Sequence, residues 1–246
     1  MKISIVIPAY NEEDRLSACL ASVIDECTTG RCDIEIVVVN NASTDRTREI
    51  ALSFPGIIVV DEPEKGLVRA RQAGFLASTG DLIANIDADT VMPKGWLARV
   101  VREFEKDKDL AALSGPYIYY DLSPGARALV KVFYAGGYVM YLFNQYVIRV
   151  GAMLQGGNFI VDRNALQEIG GFDTSIEFYG EDTDIAKRLA KVGRVKWTFG
   201  LPMYTSGRRL KHEGLIRTGW RYALNFFWTT FLGRPYTKKY TDIRSV

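Results

Sequence analysis

The first ninety residues alternate between short apolar runs and amphipathic stretches. Ile3-Ser4-Ile5-Val6-Ile7-Pro8, Ile34-Glu35-Ile36-Val37-Val38-Val39, Ile57-Ile58-Val59-Val60 and the run from Asp81 to Ile86 are rich in β-branched residues. Such runs mark strands buried on both faces of a parallel sheet. Between the first two, Leu16, Leu20, Val23 and Ile24 recur on one face of a helix that starts near Asn11 or Glu12. A turn at Asn40-Asn41-Ala42-Ser43 leads to a second helix over 46–53. A third helix spans 66–78, with Gly80 expected as its C-cap. Three strand–helix repeats with connections of this length predict an α/β fold with a mostly parallel, doubly wound sheet.

Further on, the pattern predicts a helix over 93–106 with Pro93 in its first turn, and a strand over 111–120. An apolar helical stretch follows over 125–150. Then come a strand over 156–161, a short helix over 163–169 closed by Gly170-Gly171-Phe172-Asp173, and a helix opening at Gly180-Glu181-Asp182-Thr183-Asp184. A last strand is expected over 194–199 and a helix over 215–231. In open parallel sheets, ligands bind at the carboxyl ends of the strands. Pro8-Ala9-Tyr10, Asn40-Asn41 and Asp87-Ala88-Asp89 all fall at such ends, so they are expected to meet in space. No Gly-x-Gly-x-x-Gly follows the first strand and no Gly-x-x-x-x-Gly-Lys-Ser/Thr occurs, which argues against a dinucleotide fold and a P-loop.

Composition adds little until the details are read. The 246 residues suffice for one large α/β domain or two small ones, and 31 Lys+Arg against 29 Asp+Glu give no argument for nucleic acid. Cys19, Cys27 and Cys32 are odd in number and lack metal-ligand spacing, which fits a reduced, cytosolic setting. The apolar run after Lys2 ends at Pro8, too short for a signal peptide. The uncharged stretch from Val132 to Ile148 is slightly short of the roughly 20 residues of a membrane span, and reads as a buried or interfacial helix.

The chemistry centres on Asp87-Ala88-Asp89. Alternation along an extended chain points both carboxylates the same way, and a hard divalent cation such as Mg²⁺ or Mn²⁺ relieves their repulsion. A solvated turn with two acids is the plain alternative. Glu181, Asp182 and Asp184 sit where a helix dipole favours carboxylates, as catalytic groups or as ordinary first-turn acids.

Ile5-Val6-Ile7-Pro8-Ala9-Tyr10-Asn11-Glu12, Val37-Val38-Val39-Asn40-Asn41-Ala42-Ser43-Thr44-Asp45, Lys65-Gly66 with Ala70-Arg71-Gln72-Ala73-Gly74, Asp87-Ala88-Asp89, and Gly170-Gly171-Phe172-Asp173 with Gly180-Glu181-Asp182 stand in order along the chain. Together, over roughly residues 3 to 200, they resemble a family 2 glycosyltransferase with the GT-A fold, a Rossmann-like sheet flanked by helices. The resemblance implies a catalytic domain over 1–205, with a nucleotide-sugar half to about 118 and an acceptor half beyond it. Residues 206–246 then form a basic, aromatic helical extension. It implies inverting, metal-dependent transfer of a sugar from a nucleotide-diphosphate sugar, a UDP-sugar favoured, to a hydroxyl of a glycan or lipid-linked saccharide. Pro8, Tyr10, Glu12, Asn40, Lys65, Arg71, Asp87 and Ala88 are implied at the nucleotide sugar. Asp89 and Asp87 are implied as ligands of Mn²⁺ or Mg²⁺, with His212 as a third ligand or a surface histidine in a basic loop. Asp182 is implied as the general base, with Glu181 orienting or binding the acceptor. Arg208, Arg209, Lys211 and Arg217 read as a diphosphate clamp or a solvated face.

The chain departs from the family pattern at Asn40-Asn41, where two Asp are usual, at Ala42 for Gly, and at Gln72 for Asn. The Gln-x-x-Arg-Trp motif of processive synthases is absent, which favours one transfer per encounter. The aromatic stretches 132–148 and 220–231, the second followed by Arg234, Lys238 and Lys239, suit a membrane interface with a polyprenyl-linked acceptor, or packing on the sheet or a homodimer contact. A cytoplasmic protein, peripheral at the inner membrane face in the first case, is expected. The competing readings are a metal-dependent nucleotidyltransferase, disfavoured by the acidic Pro8–Glu13 segment, and a non-catalytic sugar-nucleotide-binding protein.

Overall fold

The computed structural model describes residues 1–29, 32–144, 147 and 153–237. The four apolar runs form β1 (Lys2–Ala9), β2 (Asp33–Asn41), β3 (Ile57–Glu62) and β4 (Leu82–Ile86). They are parallel and lie in the order β3-β2-β1-β4. Helices α1 (Leu16–Thr29), α2 (Thr47–Ser53) and α3 (Leu67–Ala77) connect them. The runs of β1, β2 and β4 are mostly apolar because both sheet faces are covered there, whereas the edge strand β3 leaves Ile58 exposed. Ile3, Ile5 and Ile7 of β1 pack with Leu16, Leu20 and Val23 of α1, whereas Val6 packs with Val37, Val39 and Val68 on the α3 side. Each such side chain, fully buried, contributes about 1.5–3 kcal/mol of transfer free energy.

The remaining elements are β5 (Thr90–Val91), α4 (Trp96–Lys106), β6 (Leu110–Ser114), β7 (Tyr117–Tyr119), α5 (Pro124–Phe143), β8 (Asn158–Asp162), α6 (Arg163–Glu168), α7 (Glu181–Leu189), β9 (Arg194–Trp197), β10 (Met203–Thr205), α8 (Arg208–Glu213) and α9 (Leu215–Leu232). The main sheet continues as β4-β8-β6-β9, with β8 antiparallel to both β4 and β6. A small second sheet, β5-β10-β7, stands over the carboxyl end of β4.

Several boundaries differ from the sequence expectation. The strand expected over 111–120 is two strands in different sheets, because Pro116 cannot donate to a ladder and the chain turns at Gly115-Pro116. The strand over 194–199 is not the last; β10 follows it. Helix α4 begins at Trp96 instead of Pro93. Gly95 takes φ 82 ahead of it, and the buried Glu26 carboxylate accepts the amides of Gly95 and Leu97 at 2.9 and 3.1 Å. Gly80 is not a C-cap. Helix α3 ends at Ser78 in extended backbone, and Gly80 instead packs on β1, where a Cβ would come within 2.5 Å of the Ser4 hydroxyl.

The apolar stretch is not buried. Among its described residues only Val130, Tyr141 and Asn144 are buried; Gln145, Tyr146 and Ile148 lie outside the described residues, as do Lys238 and Lys239. One face of α5 packs on β9, with the rings of Tyr134 and Tyr138 5.9 and 5.7 Å from Trp197. The other face carries Val132 and Val139, 66% and 65% exposed. No described helix is long and apolar enough to cross a membrane.

Glu35 on β2 ties the start of the sheet together. Burial alone would raise its carboxyl, but hydrogen bonds from Ser4, from the Thr79 amide and hydroxyl, and from Lys2 outweigh that and hold it at about 2. A folded-state value below the unfolded one contributes stability that is present above about pH 4.5 and is lost as pH falls through the folded value. The expected contribution is about 2–3 kcal/mol. Acid titration of unfolding free energy is therefore expected to show a loss between about pH 4.5 and 2 that Glu35→Gln reduces, the remainder coming from Asp45, Asp61, Glu103, Asp121 and Asp173, whose carboxyls hydrogen bonds or neighbouring cations also hold low.

Candidate active site

The carboxyl end of β4 turns sharply. The amide and hydroxyl of Thr90 both donate to the Asp87 carbonyl, at 3.1 and 2.7 Å, so Asp87-Ala88-Asp89-Thr90 is a tight turn and not the extended chain that simple alternation implied. The turn nevertheless presents both carboxylates to one cleft, over a buried Ala88.

Arg71, on α3, is the centre of the charge arrangement. It is 1% exposed, ion-pairs with Glu181, and lies 3.5 Å from Asp87. Its guanidinium also sits 5.2 Å from the centroid of the Phe159 ring. Helix α7 brings Glu181 and Asp182 to the same place at its N-terminus, where the dipole favours negative charge. Burial pushes the Glu181 carboxyl up to about 7, against the pull of Arg71. Burial likewise raises Asp182 above the usual aspartate range, opposed by Arg71 and by hydrogen bonds from Thr183 and the Gly156 backbone.

Two further pieces were not legible as site residues. Tyr117 donates to Asp87 at 2.9 Å and also contacts the Gly156 carbonyl. Burial first, then the Asp87 and Asp89 charges, hold its phenol well above its ordinary value, so it stays a donor. Gly157, at φ +75, brings its backbone against the same group. A Cβ there would fall 2.1 Å from an Asp87 oxygen and 2.2 Å from the Tyr117 hydroxyl. Gly157→Ala is accordingly expected to displace Asp87, destabilise the fold by about 1–3 kcal/mol and abolish nucleotide binding, as chemical denaturation and calorimetric titration would read. The sequence signals were a glycine pair before a strand and a tyrosine after Gly-Pro, neither informative without the fold.

The C-terminal segment closes the arrangement. Arg208, at the start of α8, ion-pairs with Asp89 at 3.1 Å and with the buried Glu12, and Thr205 of β10 donates to Asp89 at 3.4 Å. Burial opposes the Arg208 charge, but Asp89 and Glu12 outweigh it and hold the guanidinium protonated.

A single cavity of about 1380 Å³ is lined by Pro8, Tyr10, Lys65, Arg71, Asp87, Ala88, Asp89, Glu181 and Asp182. The Lys65 ammonium lies 3.8 Å from the centroid of the Tyr10 ring. Three expected site residues are not in that lining. Glu12 is buried behind it against Arg208. Asn40 donates to Asp61 at 2.8 Å, which leaves its buried amide oxygen without a partner; its neighbour Asn41 lines the cavity. His212 is exposed on α8 and is not among the residues that line the cavity. Of the other expected clamp residues, Arg209 lines the cavity and pairs with Glu213, Lys211 pairs with Asp121, and Arg217 is exposed. Ala42 occupies the left-handed region at φ 56, which explains why glycine is the easier residue there.

The acids present suit a divalent cation of a particular kind. No group of three His, Cys, Asp or Glu side chains among the described residues could enclose a metal ion. Two carboxylates on one turn, open to the cavity, fit Mg²⁺ or Mn²⁺ bound jointly with a phosphate-bearing ligand, which is how such ions are commonly held.

Comparison with known proteins gives the same direction. The chain matches glycosyl transferase family 2 over residues 4–170. It is 27% identical over 207 residues to a probable glycosyltransferase, YdaM, of Bacillus subtilis, covering 78% of this chain and 47% of that one. It is 35% identical over 115 residues to a dolichol-phosphate mannosyltransferase of Pyrococcus furiosus, covering 45% and 32%. The chain thus spans less than half the length of these curated relatives. Among solved structures it superposes on the mannosyltransferase PcManGT of Pyrobaculum calidifontis, in complex with GDP-Man and Mn²⁺, with a TM-score of 0.64 at 22% identity, covering 87% of this chain and 62% of that one. With the motifs in order from β1 to α7 on a GT-A sheet, the chain belongs to glycosyl transferase family 2.

Proposed function

We propose that this chain is an inverting, metal-assisted glycosyltransferase. It moves a sugar from a nucleotide-diphosphate sugar to a hydroxyl of a saccharide or polyprenyl-linked acceptor. The observation that carries the reading is the convergence of Arg71, Asp87, Asp89, Glu181 and Asp182 on one cavity at the carboxyl ends of the strands. Solvated or purely structural acids would have no reason to line a common cleft around a buried arginine.

Asp182 is the general base. The acceptor oxygen attacks the anomeric carbon, the bond from that carbon to the diphosphate breaks, and the hydroxyl proton passes to the Asp182 carboxylate. Its raised value brings it nearer the operating pH, where a base is most effective. Glu181, fixed by Arg71, orients the acceptor. Asp87 and Asp89 would hold Mn²⁺ or Mg²⁺, which supplies Lewis-acid stabilisation of the departing diphosphate. Arg208 and Lys65 add positive charge toward the same group, while Pro8 and Tyr10 form the nucleoside side. A UDP-sugar is the favoured donor; the similar mannosyltransferase structure holds GDP-Man. The likeness to a dolichol-phosphate mannosyltransferase supports a lipid-linked acceptor, met at the cytoplasmic face of a membrane by a peripheral protein.

The test is a thermal-shift screen of UDP, GDP, dTDP and CDP, each with and without Mn²⁺. A ligand at about 100 times its Kd adds about 2.7 kcal/mol to stability. The expected result is a rise in Tm that requires both UDP and the metal. No rise with any of the four diphosphates, with or without Mn²⁺, would remove the reading.

A further inference from the structure

The two acids of the Asp87-Ala88-Asp89 turn each carry an arginine of their own. Arg71 lies 3.5 Å from Asp87, and Arg208 lies 3.1 Å from Asp89. Asp87 also accepts from Tyr117 at 2.9 Å, and Thr205 donates to the second Asp89 oxygen at 3.4 Å. The repulsion between the carboxylates, which would draw in a dication, is thus already relieved by groups of the chain itself. Both Asp89 oxygens are engaged, and a dication on either one would lie beside a guanidinium of like charge.

The two arginines differ in what holds them. Arg71 is enclosed and ion-paired with Glu181. Arg208 lines the cavity with 22% of its side chain exposed, and one nitrogen, Nη2, reaches both Asp89 and the buried Glu12. Its backbone is fixed on either side. Thr205 pairs with Thr90 and Tyr119 across the small sheet. Asp121 accepts the Gly207 amide at 2.6 Å and pairs with Lys211 at 3.1 Å. The side chain of Arg208, and not α8, is therefore the part free to move, keeping Glu12 as a partner while it leaves Asp89.

We infer that Arg208 is an exchangeable counter-ion of Asp89: it competes with the divalent metal for that carboxylate, and passes to the donor diphosphate when nucleotide and metal enter together. This rests on the glycosyltransferase reading and gives one side chain the task of coupling the two ligands. A diphosphate offers the guanidinium an anion of matching geometry, so the metal gains Asp89 without leaving a cation unpaired. Without the nucleotide, the metal must work against Arg208. By linkage, the factor by which nucleotide tightens metal binding equals the factor by which metal tightens nucleotide binding.

The test is the affinity for Mn²⁺ alone, read from the paramagnetic resonance signal of the free ion, and then with UDP at saturation. Without nucleotide, Arg208→Gln is expected to bind Mn²⁺ at least about tenfold more tightly than the wild type, because the competing charge is gone. Arg208→Lys keeps the charge and should stay closer to the wild type than to the glutamine variant. UDP should tighten Mn²⁺ binding by a larger factor in the wild type than in Arg208→Gln, by about tenfold or more. Arg208→Gln leaves the buried Glu12 without this cation and is expected to lower Tm. Arg208→Gln with Glu12→Gln removes both members of the pair, so it keeps the test open if the single variant does not fold, and the same tightening is expected. Affinity for Mn²⁺ alone that is unchanged or weaker in these variants would overturn the inference and leave Arg208 a structural tie. Failure of UDP to affect Mn²⁺ binding in the wild type would instead count against the transferase reading, with the comparison in Mn²⁺ alone still deciding whether Arg208 competes for Asp89.

Discussion

Replacing Arg71 with alanine is expected to lower stability by about 3–5 kcal/mol and to eliminate transfer. The guanidinium is 1% exposed and is the nearest cation to Glu181 and Asp87. Its removal leaves Glu181, Asp182 and Asp87 as neighbouring acids in a site largely shielded from water. The cost should depend on pH with a definite sign. Glu181 is already pushed up to about 7 with Arg71 in place, and without that cation it rises further. As pH falls the carboxyl takes a proton and needs no partner, so the destabilisation measured at pH 8 should exceed that at pH 5.5. Denaturant unfolding at the two values checks this. Arg71→Ala combined with Glu181→Gln is expected to recover part of the loss at pH 8. Equal losses at both values would mean that lost packing on Phe159, and not charge, sets the cost.

Asp182→Asn is expected to reduce turnover by about 10²- to 10⁴-fold, the usual contribution of a positioned general base, with nucleotide binding unchanged. The two side chains are nearly the same size, so the fold should persist. Because burial raises the Asp182 carboxyl, the wild-type rate should climb with pH through a value above the ordinary aspartate range. That acidic limb should be missing from the residual activity of the variant. A variant with unchanged turnover would assign the proton to another group, Glu181 being the adjacent candidate.

The half of the molecule built from local pattern was readable in advance. β1, β2 and β4 read as near-continuous apolar runs because α1 and α4 cover one sheet face and α3 the other, whereas β3, at the sheet edge, has no fully buried residue. Tyr10, Asp87 and Asp89 line one cavity, as expected of segments at the carboxyl ends of parallel strands, although Asn40 does not; Arg71 and Asp182 were implied only by the family resemblance. What the pattern hid depends on contacts distant along the chain. Arg208 meets Glu12 across 196 positions, and no periodicity records that. The break at Gly115-Pro116 moves Tyr117 into the second sheet and onto Asp87, a change of partner that an apolar run cannot signal. Helix α5 carries no charge after Lys131, so its sequence left a buried and an interfacial position both open; one face packs on β9 and the other, with Val132 and Val139, is exposed.

The most direct measurement is a calorimetric titration of UDP into the wild-type protein and into Asp89→Asn, each with and without Mn²⁺. If Asp87 and Asp89 hold the metal together with the donor diphosphate, wild-type binding requires Mn²⁺, and the variant binds at least about tenfold more weakly with the metal present. Binding of equal strength in both proteins, indifferent to Mn²⁺, would contradict a metal-assisted nucleotide-sugar site at the end of β4.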